Sequence, residues 1–241
     1  ITARFPQSYN HYYEPFIGGG ALFFAVGPEK ATISDTNEQL INLYRCLKAD
    51  VKNVISVVNE LDETVCNKEF YYLVRERYNR KIADHIFDTE CAALMIWINK
   101  HCFNGLYRVN GKGLFNVPYN NRINGKSIEA ENLIAISEYL RKKNVLIKCA
   151  DFEKVCADVC QDDFVYFDSP YIPVSETADF TDYTKDGFLL ADHERLAALF
   201  RQLDHIGAKV MLSNNDVPLV HELYKGYNIE ILDAKRMINR N

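Results

Sequence analysis

The segment 168–171 combines residue types that together can hold an aromatic amine. Asp168-Ser169-Pro170-Tyr171 follows directly after the apolar run 164–167, which predicts a short buried strand. A carboxylate at a strand end can accept hydrogen bonds from an exocyclic amine, proline fixes the turn, and a tyrosine ring can stack on a flat base. An enzyme that modifies a base outside its duplex needs this combination. We therefore predict a catalytic site at these residues.

A glycine-rich turn is the second place where chemistry is expected. The aromatic run 11–16 is followed by Gly18-Gly19-Gly20 and then by the apolar segment 21–26, the order of a strand, a tight turn and a helix. Glycine lets the backbone pass close to a ligand, and the helix N-terminus offers free N–H groups. Taken alone, the triplet fits a cofactor turn, a dinucleotide pyrophosphate site or a simple tight turn.

Two aspartates follow further predicted strands. Asp35 ends the strand 31–34, where nucleoside-binding proteins place an acid that accepts ribose hydroxyls. It lies about 15 residues after the glycines, short of the ~20 of an NAD fingerprint, which disfavours NAD. Asp151-Phe152 follows the strand 145–149 and offers an acceptor and a ring to an adenine. The same pair also fits an N-cap aspartate followed by a core phenylalanine.

A parallel α/β sheet would bring these strand ends to one edge. The chain starts with a β-α-β-α pattern over residues 11–47, and helical segments such as 192–205 separate the later apolar runs. These later runs predict buried strands at 145–149, 164–167, 209–212 and 229–232. Ligands of such sheets bind at the carboxyl ends of the strands.

The middle of the chain has a different pattern. It contains successive amphipathic helical segments without a buried strand between them, at 51–61, 69–78 and 89–99. We therefore predict one domain from residues 1–50 and 145–241, with 51–144 inserted into it. Within the insertion, Val109-Asn110-Gly111 predicts a hairpin turn between short strands at 106–109 and 114–117.

The charge distribution indicates where a polyanion could bind. A net charge of −5 argues against a protein that coats nucleic acid with its whole surface. Between Cys91 and Ile128, however, there is no acidic residue. The same stretch holds the basic residues Lys100, Arg108, Lys112, Arg122 and Lys126. This island predicts a phosphate-contacting surface, although charge alone fits a solvated loop equally well.

Cysteine spacing and hydropathy exclude several classes of protein. The seven cysteines include no CxxC pair, so we predict reduced thiols and no bound metal. No apolar run reaches the roughly 18 residues of a membrane span, and residues 1–10 lack a signal-peptide pattern. We expect a cytoplasmic protein.

Together, these segments resemble DNA adenine-N6 methyltransferases of the Dam type, the D12 class, over nearly the whole chain. Segment 14–20 is similar to the family's AdoMet turn, 33–37 to its ribose-binding strand end, and 168–171 to its catalytic DPPY motif. The most specific match joins Phe103-Asn104-Gly105-Leu106-Tyr107-Arg108 to Phe115-Asn116-Val117-Pro118-Tyr119, similar to the recognition hairpin FNGLYR…FNVP(F/Y)G.

The resemblance implies a class I, Rossmann-like AdoMet-dependent methyltransferase sheet with an inserted helical and β-hairpin DNA-recognition domain. It implies methyl transfer from S-adenosylmethionine to the N6 of a flipped adenine in duplex DNA, within GATC. The implied cofactor-binding residues are Glu14, Pro15, Phe16, Gly18, Gly20, Asp35, Asp151, Phe152 and Asp168. The implied DNA-binding residues are Asn104, Gly105, Leu106, Arg108, Lys112, Asn116, Pro118 and Arg122.

The chain also departs from the family pattern. Ser169 stands where the family has proline, and Asn120 where it has glycine. The family's N-terminal GGK-type segment has no counterpart before Ile1, so we expect a longer protein, with a final strand beyond Asn241. Segments 179–183 and 212–215 again resemble the family. Two alternatives stay open, a DNA-binding module that has lost the chemistry and a cytosine-N4 methyltransferase.

Overall fold

The computed structural model describes residues 1–122, 125–173 and 187–232. In this part of the chain a five-stranded sheet forms, and every pair of neighbouring strands is parallel. The strands are β1 (Tyr12–Glu14), β2 (Lys30–Asp35), β3 (Asn144–Cys149), β4 (Phe164–Phe167) and β5 (Lys209–Leu212). The predicted parallel α/β fold is thus confirmed.

The strand order is β3-β2-β1-β4-β5. The chain therefore builds the sheet outward from β1 through β2 to β3, and then returns to the other side of β1 to add β4 and β5. In such doubly wound sheets, ligands bind outside the carboxyl ends of the strands where the order reverses. Here that point lies between the ends of β1 and β4, next to Glu14 and Phe167.

Helices connect and cover the strands. Their bounds are α1 (Ala21–Val26), α2 (Glu38–Asp62), α3 (Lys68–Ala83), α4 (Thr89–His101), α5 (Ala130–Lys142), α6 (Phe152–Cys156), α7 (Leu190–His205) and α8 (Pro218–Leu223). Side chains of Asn37, Asn67, Asp88 and Asp151 cap α2, α3, α4 and α6 by accepting bonds from first-turn N–H groups. None of the helices in the described ranges is long and apolar enough to cross a bilayer.

Two hydrophobic cores lie on the two faces of the sheet. Successive residues of a strand point to opposite faces, and so Tyr12 belongs to one core and Tyr13 to the other. The first core extends beyond the sheet, because it includes Trp97 of α4 and also Phe115 and Val117 of the predicted hairpin. The middle segment therefore packs on the same core as β1, β2 and β3.

Two sequence predictions differ from the structure. The predicted strand at 229–232 is wrong, since these residues have no regular structure and Ile231 is 63% exposed. Apolar residues alone do not make a strand, because a strand needs a hydrogen-bonding neighbour. The helical segments 37–47 and 51–61 are parts of one helix, α2, interrupted only by Asp50, which has a non-helical φ of −149°.

Candidate active site

A cavity of about 540 Å³ opens at the carboxyl ends of the strands. Residues from four separate predicted segments line it, namely Phe16, Gly18, Asp35, Asp151, Phe152, Asp168, Ser169, Pro170 and Tyr171. The structure thus brings all the predicted catalytic residues together with most of the predicted cofactor residues. Glu14, Pro15 and Gly20 lie outside this lining.

The glycine turn gives its residues different environments. Gly18 has a φ of +47°, and a Cβ there would meet no other atom, because its backbone faces the open cavity. Gly20 has a φ of +69°, and a Cβ there would lie only 2.6 Å from the Tyr44 hydroxyl. That hydroxyl donates to the carbonyl of Gly18 at 2.9 Å. Close packing therefore requires glycine at position 20. At position 18 the backbone itself forms part of the cavity lining.

Asp35 is held at the end of β2 by backbone donors. Its Oδ2 accepts from the N–H of Gly18 at 3.3 Å, and its Oδ1 accepts from the N–H of Asn37 at 2.9 Å. Burial raises the pKa of Asp35, while the bonds from these two N–H groups act in the opposite direction. The carboxylate thus has a fixed orientation at the cavity wall.

Glu14 is the most buried acid beside the site. It is only 3% exposed at the end of β1, and its Oε2 accepts from the Tyr12 hydroxyl at 2.7 Å. Burial raises the pKa of Glu14 to about 8, and the nearby charge of Asp168 also raises it. The carbonyl of the neighbouring Pro15 accepts from Ser34 Oγ of β2 at 3.1 Å, outside the cavity lining.

The predicted catalytic residues form an ordered turn after β4. The Tyr171 hydroxyl donates to Asp168 Oδ1 at 3.0 Å. Loss of solvation raises the pKa of Asp168, and this hydrogen bond partly counteracts the rise. Tyr171 is 41% exposed, whereas Ser169 is only 1% exposed. Within the described part of the chain, Ser169 Oγ has no hydrogen-bond partner.

The interpretation of Asp151 and Phe152 as a helix cap and a core residue is confirmed, and their contact with an adenine stays a prediction. Asp151 caps α6, because its Oδ1 accepts from the N–H of Glu153 at 3.0 Å, and Phe152 is 3% exposed in the second core. Both residues also line the cavity. The Phe152 ring lies 5.6 Å from Phe16 and 6.1 Å from Phe188, measured between ring centroids. The cavity thus has an aromatic wall.

Sequence reasoning missed several residues of this wall. Thr36, Phe188 and Asp192 line the cavity, and Arg195 of α7 binds Asp151 at 3.0 Å. Thr36 could have been found from its position beside Asp35. The others come from the region around the start of α7, far along the chain from Asp151, so no local pattern connects them.

The segment after β5 reaches back to the turn at 168–171. Ser213 Oγ lies 2.7 Å from the Tyr166 hydroxyl, and Asn214 Oδ1 accepts from the N–H of Ile172 at 3.0 Å. These contacts place the predicted segment 212–215 beside the predicted catalytic residues. Asp179, Phe180 and Tyr183, together with the run 234–239, lie outside the described residues.

The predicted hairpin turn is present, but the predicted strands on either side of it, at 106–109 and 114–117, are irregular limbs joined by a single bridge. Val109 and Phe115 form an antiparallel bridge. Asn110 makes the turn, because its Oδ1 accepts from the N–H groups of Lys112 at 2.9 Å and Leu114 at 3.2 Å. Gly113 completes it with a φ of +74°.

The predicted DNA-binding residues lie on this hairpin and its flanks, outside the cavity lining. Arg108 Nε donates to Asn116 Oδ1 at 2.8 Å across the two limbs. Leu106 is 50% exposed. At the base of the hairpin, the Pro118 carbonyl accepts from the N–H of Phe103 at 2.8 Å. The turn at Asn104 and Gly105 precedes the first limb, and Arg122 follows the second.

Helix α3 holds the second limb of the hairpin by its backbone. Asn79 Nδ2 donates to the Phe115 carbonyl at 3.0 Å, and Asn79 Oδ1 accepts from the Phe115 N–H at 2.9 Å. The Tyr71 hydroxyl and the Arg75 guanidinium both donate to the Val117 carbonyl, at 2.9 and 3.2 Å. Side chains of α3 thus make the hydrogen bonds to this limb that a neighbouring strand makes in a sheet.

Comparison with known proteins agrees with this geometry. The family model of D12 class N6 adenine-specific DNA methyltransferases matches residues 1–238. The chain is 46% identical to the Type II methyltransferase M1.LlaDCHI of Lactococcus lactis subsp. cremoris over 98% of this chain and 83% of that protein. It is 45% identical to the Type II methyltransferase M.MjaIII of Methanocaldococcus jannaschii, over 95% of this chain and 82% of that protein.

A DNA adenine methylase of Serratia marcescens is 32% identical, over 95% of this chain and 83% of its own length. These similarities and the family match extend over both the sheet and the middle segment. The chain therefore belongs to the D12 class of N6 adenine-specific DNA methyltransferases, enzymes that transfer a methyl group to adenine N6 in DNA.

Proposed function

We propose that the methyl donor is S-adenosylmethionine and that the cavity binds it beside the target adenine. The observation that carries this proposal is the single space of about 540 Å³ that Asp35, Asp151, Asp168 and Tyr171 share. This volume falls within the range of pockets for ligands of this size. When bound, the donor supplies an electrophilic methyl group on a sulfonium.

The residues of the cavity fit the donor's chemistry. Asp35 is fixed by backbone donors and presents a carboxylate suited to ribose hydroxyls. Asp151 can accept from the adenine amine, and Phe152 offers a ring for stacking on the purine. The open space in front of Gly18 allows the ligand to approach the backbone closely.

Asp168 prepares the target amine for transfer. The lone pair of adenine N6 is delocalised into its ring, which makes it a poor nucleophile. Hydrogen bonds from N6 to the Asp168 carboxylate and to the main-chain carbonyl of Ser169 would localise that lone pair, while Tyr171 stacks on the flipped base. Catalysis by these residues is therefore chiefly positioning and electrostatic stabilisation.

The segment 51–144 is proposed to recognise the DNA. Its hairpin carries Arg108, which can contact a guanine edge with two hydrogen bonds, and Lys112, which can contact phosphate. Arg122 follows the second limb and adds a further cation. On the resemblance of this hairpin to that of Dam-type enzymes, we propose GATC as the target sequence.

The base, the position and the sequence context can be read in one experiment. The protein is expressed in a host that lacks adenine and cytosine methylation, and plasmid DNA is sequenced for modified bases. We expect N6-methyladenine within GATC. Methylated adenine in another sequence would overturn the target proposal alone, and N4-methylcytosine would overturn the reaction. Calorimetry with S-adenosylmethionine tests the donor separately, and an absence of binding would contradict it.

A further inference from the structure

Arg195, on the first turns of α7, binds three carboxylates, and two of them line the cavity. Its Nη2 donates to Asp151 Oδ1 at 3.0 Å and to Glu153 Oε2 at 2.7 Å, and its Nη1 donates to Asp192 Oδ1 at 2.8 Å. The guanidinium also lies over the ring of Phe152, with its Cζ 4.8 Å from the ring centroid. One side chain thus contacts Asp151 and Phe152, both of which line the cavity.

These contacts determine how Asp151 presents its oxygens. The bond from Arg195 and the bond from the N–H of Glu153 both end on Oδ1. No residue in the described part of the chain donates to Oδ2, and because Asp151 lines the cavity, this oxygen can accept from a ligand there. The two donors on one oxygen fix the rotation of the carboxylate.

The same contacts reduce the repulsion between carboxylates beside this wall. Asp151, Glu153 and Asp192 all lie within hydrogen-bonding distance of one guanidinium. Without a cation between them, these carboxylates would repel one another and favour other side-chain orientations. A lysine would restore the charge, but it lacks the planar fork that reaches several acceptors at once.

We propose that Arg195 is a positioning residue of the cofactor pocket. It fixes Asp151 so that Oδ2 accepts a hydrogen bond from the exocyclic amine of the donor's adenine. The proposal rests on the proposed binding of S-adenosylmethionine, and it adds Arg195 to the residues on which that binding depends.

The test compares two ligands that differ only in this amine. Calorimetry measures the affinity for S-adenosylhomocysteine, and for its analogue with hydrogen in place of the 6-amino group. In Arg195→Gln we expect about a tenfold loss of affinity for the first ligand and less than about twofold for the second, since the analogue cannot use Asp151. Arg195→Lys should lie between Arg195→Gln and the unchanged protein.

The matched control is Arg201→Gln on the same helix. The Arg201 guanidinium donates to the Leu223 carbonyl, with an N–O distance of 3.0 Å, and does not line the cavity. This variant should bind both ligands as the unchanged protein does. In methylation assays, Arg195→Gln should raise KM for S-adenosylmethionine about tenfold and leave kcat within about threefold, because the target adenine does not contact Arg195.

The outcomes separate this proposal from the proposed function. An equal loss for both ligands in Arg195→Gln, or no loss for either, would overturn the positioning role. If the unchanged protein bound neither ligand, the donor assignment itself would fail. Thermal unfolding checks that each variant is folded. If Arg195→Gln is not folded, Arg195→Lys takes its place, and an equal loss for both ligands in that variant overturns the proposal.

Discussion

The hydroxyl of Tyr171 donates to Asp168 Oδ1 at 3.0 Å, so the tyrosine occupies an acceptor that the proposed reaction assigns to the target amine. An incoming adenine either displaces this hydrogen bond or donates its N6 to the other oxygen of Asp168. Tyr171 is 41% exposed, so a base can approach its ring from the cavity. The effect of the hydroxyl on Asp168 can thus be tested separately from the proposed stacking of the ring on the base.

Replacing Tyr171 by Phe removes the hydroxyl and keeps the ring. The hydroxyl lowers the pKa of Asp168, so its loss should raise that pKa. Because the ionised carboxylate accepts from N6, the acidic limb of the kcat/KM profile should move to higher pH. Steady-state methylation across pH measures the shift, and a move to lower pH would contradict the assignment. Tyr171→Ala, which also loses the ring, should lower the single-turnover rate at least about tenfold.

Ser169→Pro tests whether the departure from the family motif matters. Every residue type supplies the carbonyl that N6 needs, so the single-turnover rate should change by less than about tenfold, or ~1.4 kcal/mol. The substitution also removes a buried hydroxyl that has no partner in the described part of the chain, so the thermal midpoint should not fall. Asp168→Ala, in contrast, should abolish transfer while the donor still binds. An inactive protein that Ser169→Pro rescues would indicate a decayed binding module.

Asp35→Ala should weaken binding of S-adenosylmethionine by on the order of 1 to 3 kcal/mol, since a buried acceptor for ribose hydroxyls is lost. Asp35→Asn keeps one acceptor oxygen and should lose less. Asp158→Ala is the control, because it removes an exposed carboxylate that pairs with Lys148. Calorimetry measures the affinity of the three folded variants for S-adenosylmethionine. Unchanged affinity in Asp35→Ala would contradict the role given to Asp35.

Arg108 can contact a guanine edge without losing its partner on the hairpin. Its Nε donates to Asn116 Oδ1, which orients the guanidinium, and its Nη atoms carry the donors for a guanine. Arg108→Ala should therefore cost about 1 to 3 kcal/mol of discrimination at one base pair. Lys112→Ala should weaken binding to all sequences alike and flatten its salt dependence. Binding to cognate and singly substituted duplexes measures both effects, and intact discrimination in Arg108→Ala would contradict the hairpin assignment.

Asn79 pairs with both backbone groups of Phe115 and substitutes for a strand. Asn79→Ala leaves a backbone N–H and a carbonyl without these partners, so unfolding free energy should fall by about 1 to 3 kcal/mol. DNA affinity should fall as well, whereas donor affinity should stay the same. The control is Arg80→Ala on the same helix, which breaks an exposed pair with Glu76 and should change stability by less than about 1 kcal/mol. Equal effects of the two variants would contradict the role given to Asn79.

The sheet and its strand ends could be predicted because their signals are local. The apolar run 164–167 has the bounds of β4, and Asp168 follows it as expected. The failure at 229–232 has a physical cause, since pairing partners decide whether an apolar run becomes a strand. The role of Arg195 could not be predicted either, because its contact with Asp151 joins residues 44 positions apart.

Helix α2 begins beside the cavity, where Asn37 caps it next to Asp35, and ends at Asp62, whose carboxylate accepts from Trp97 and from Ser127. Its apolar face belongs to the core that also contains Trp97 and the hairpin. Replacing residues 51–144 as a block by those of a relative would cut this helix at Asp50 and mismatch the shared core. Under the proposed role of the hairpin, new target sequences should therefore arise in this protein more readily from single changes there than from exchange of residues 51–144.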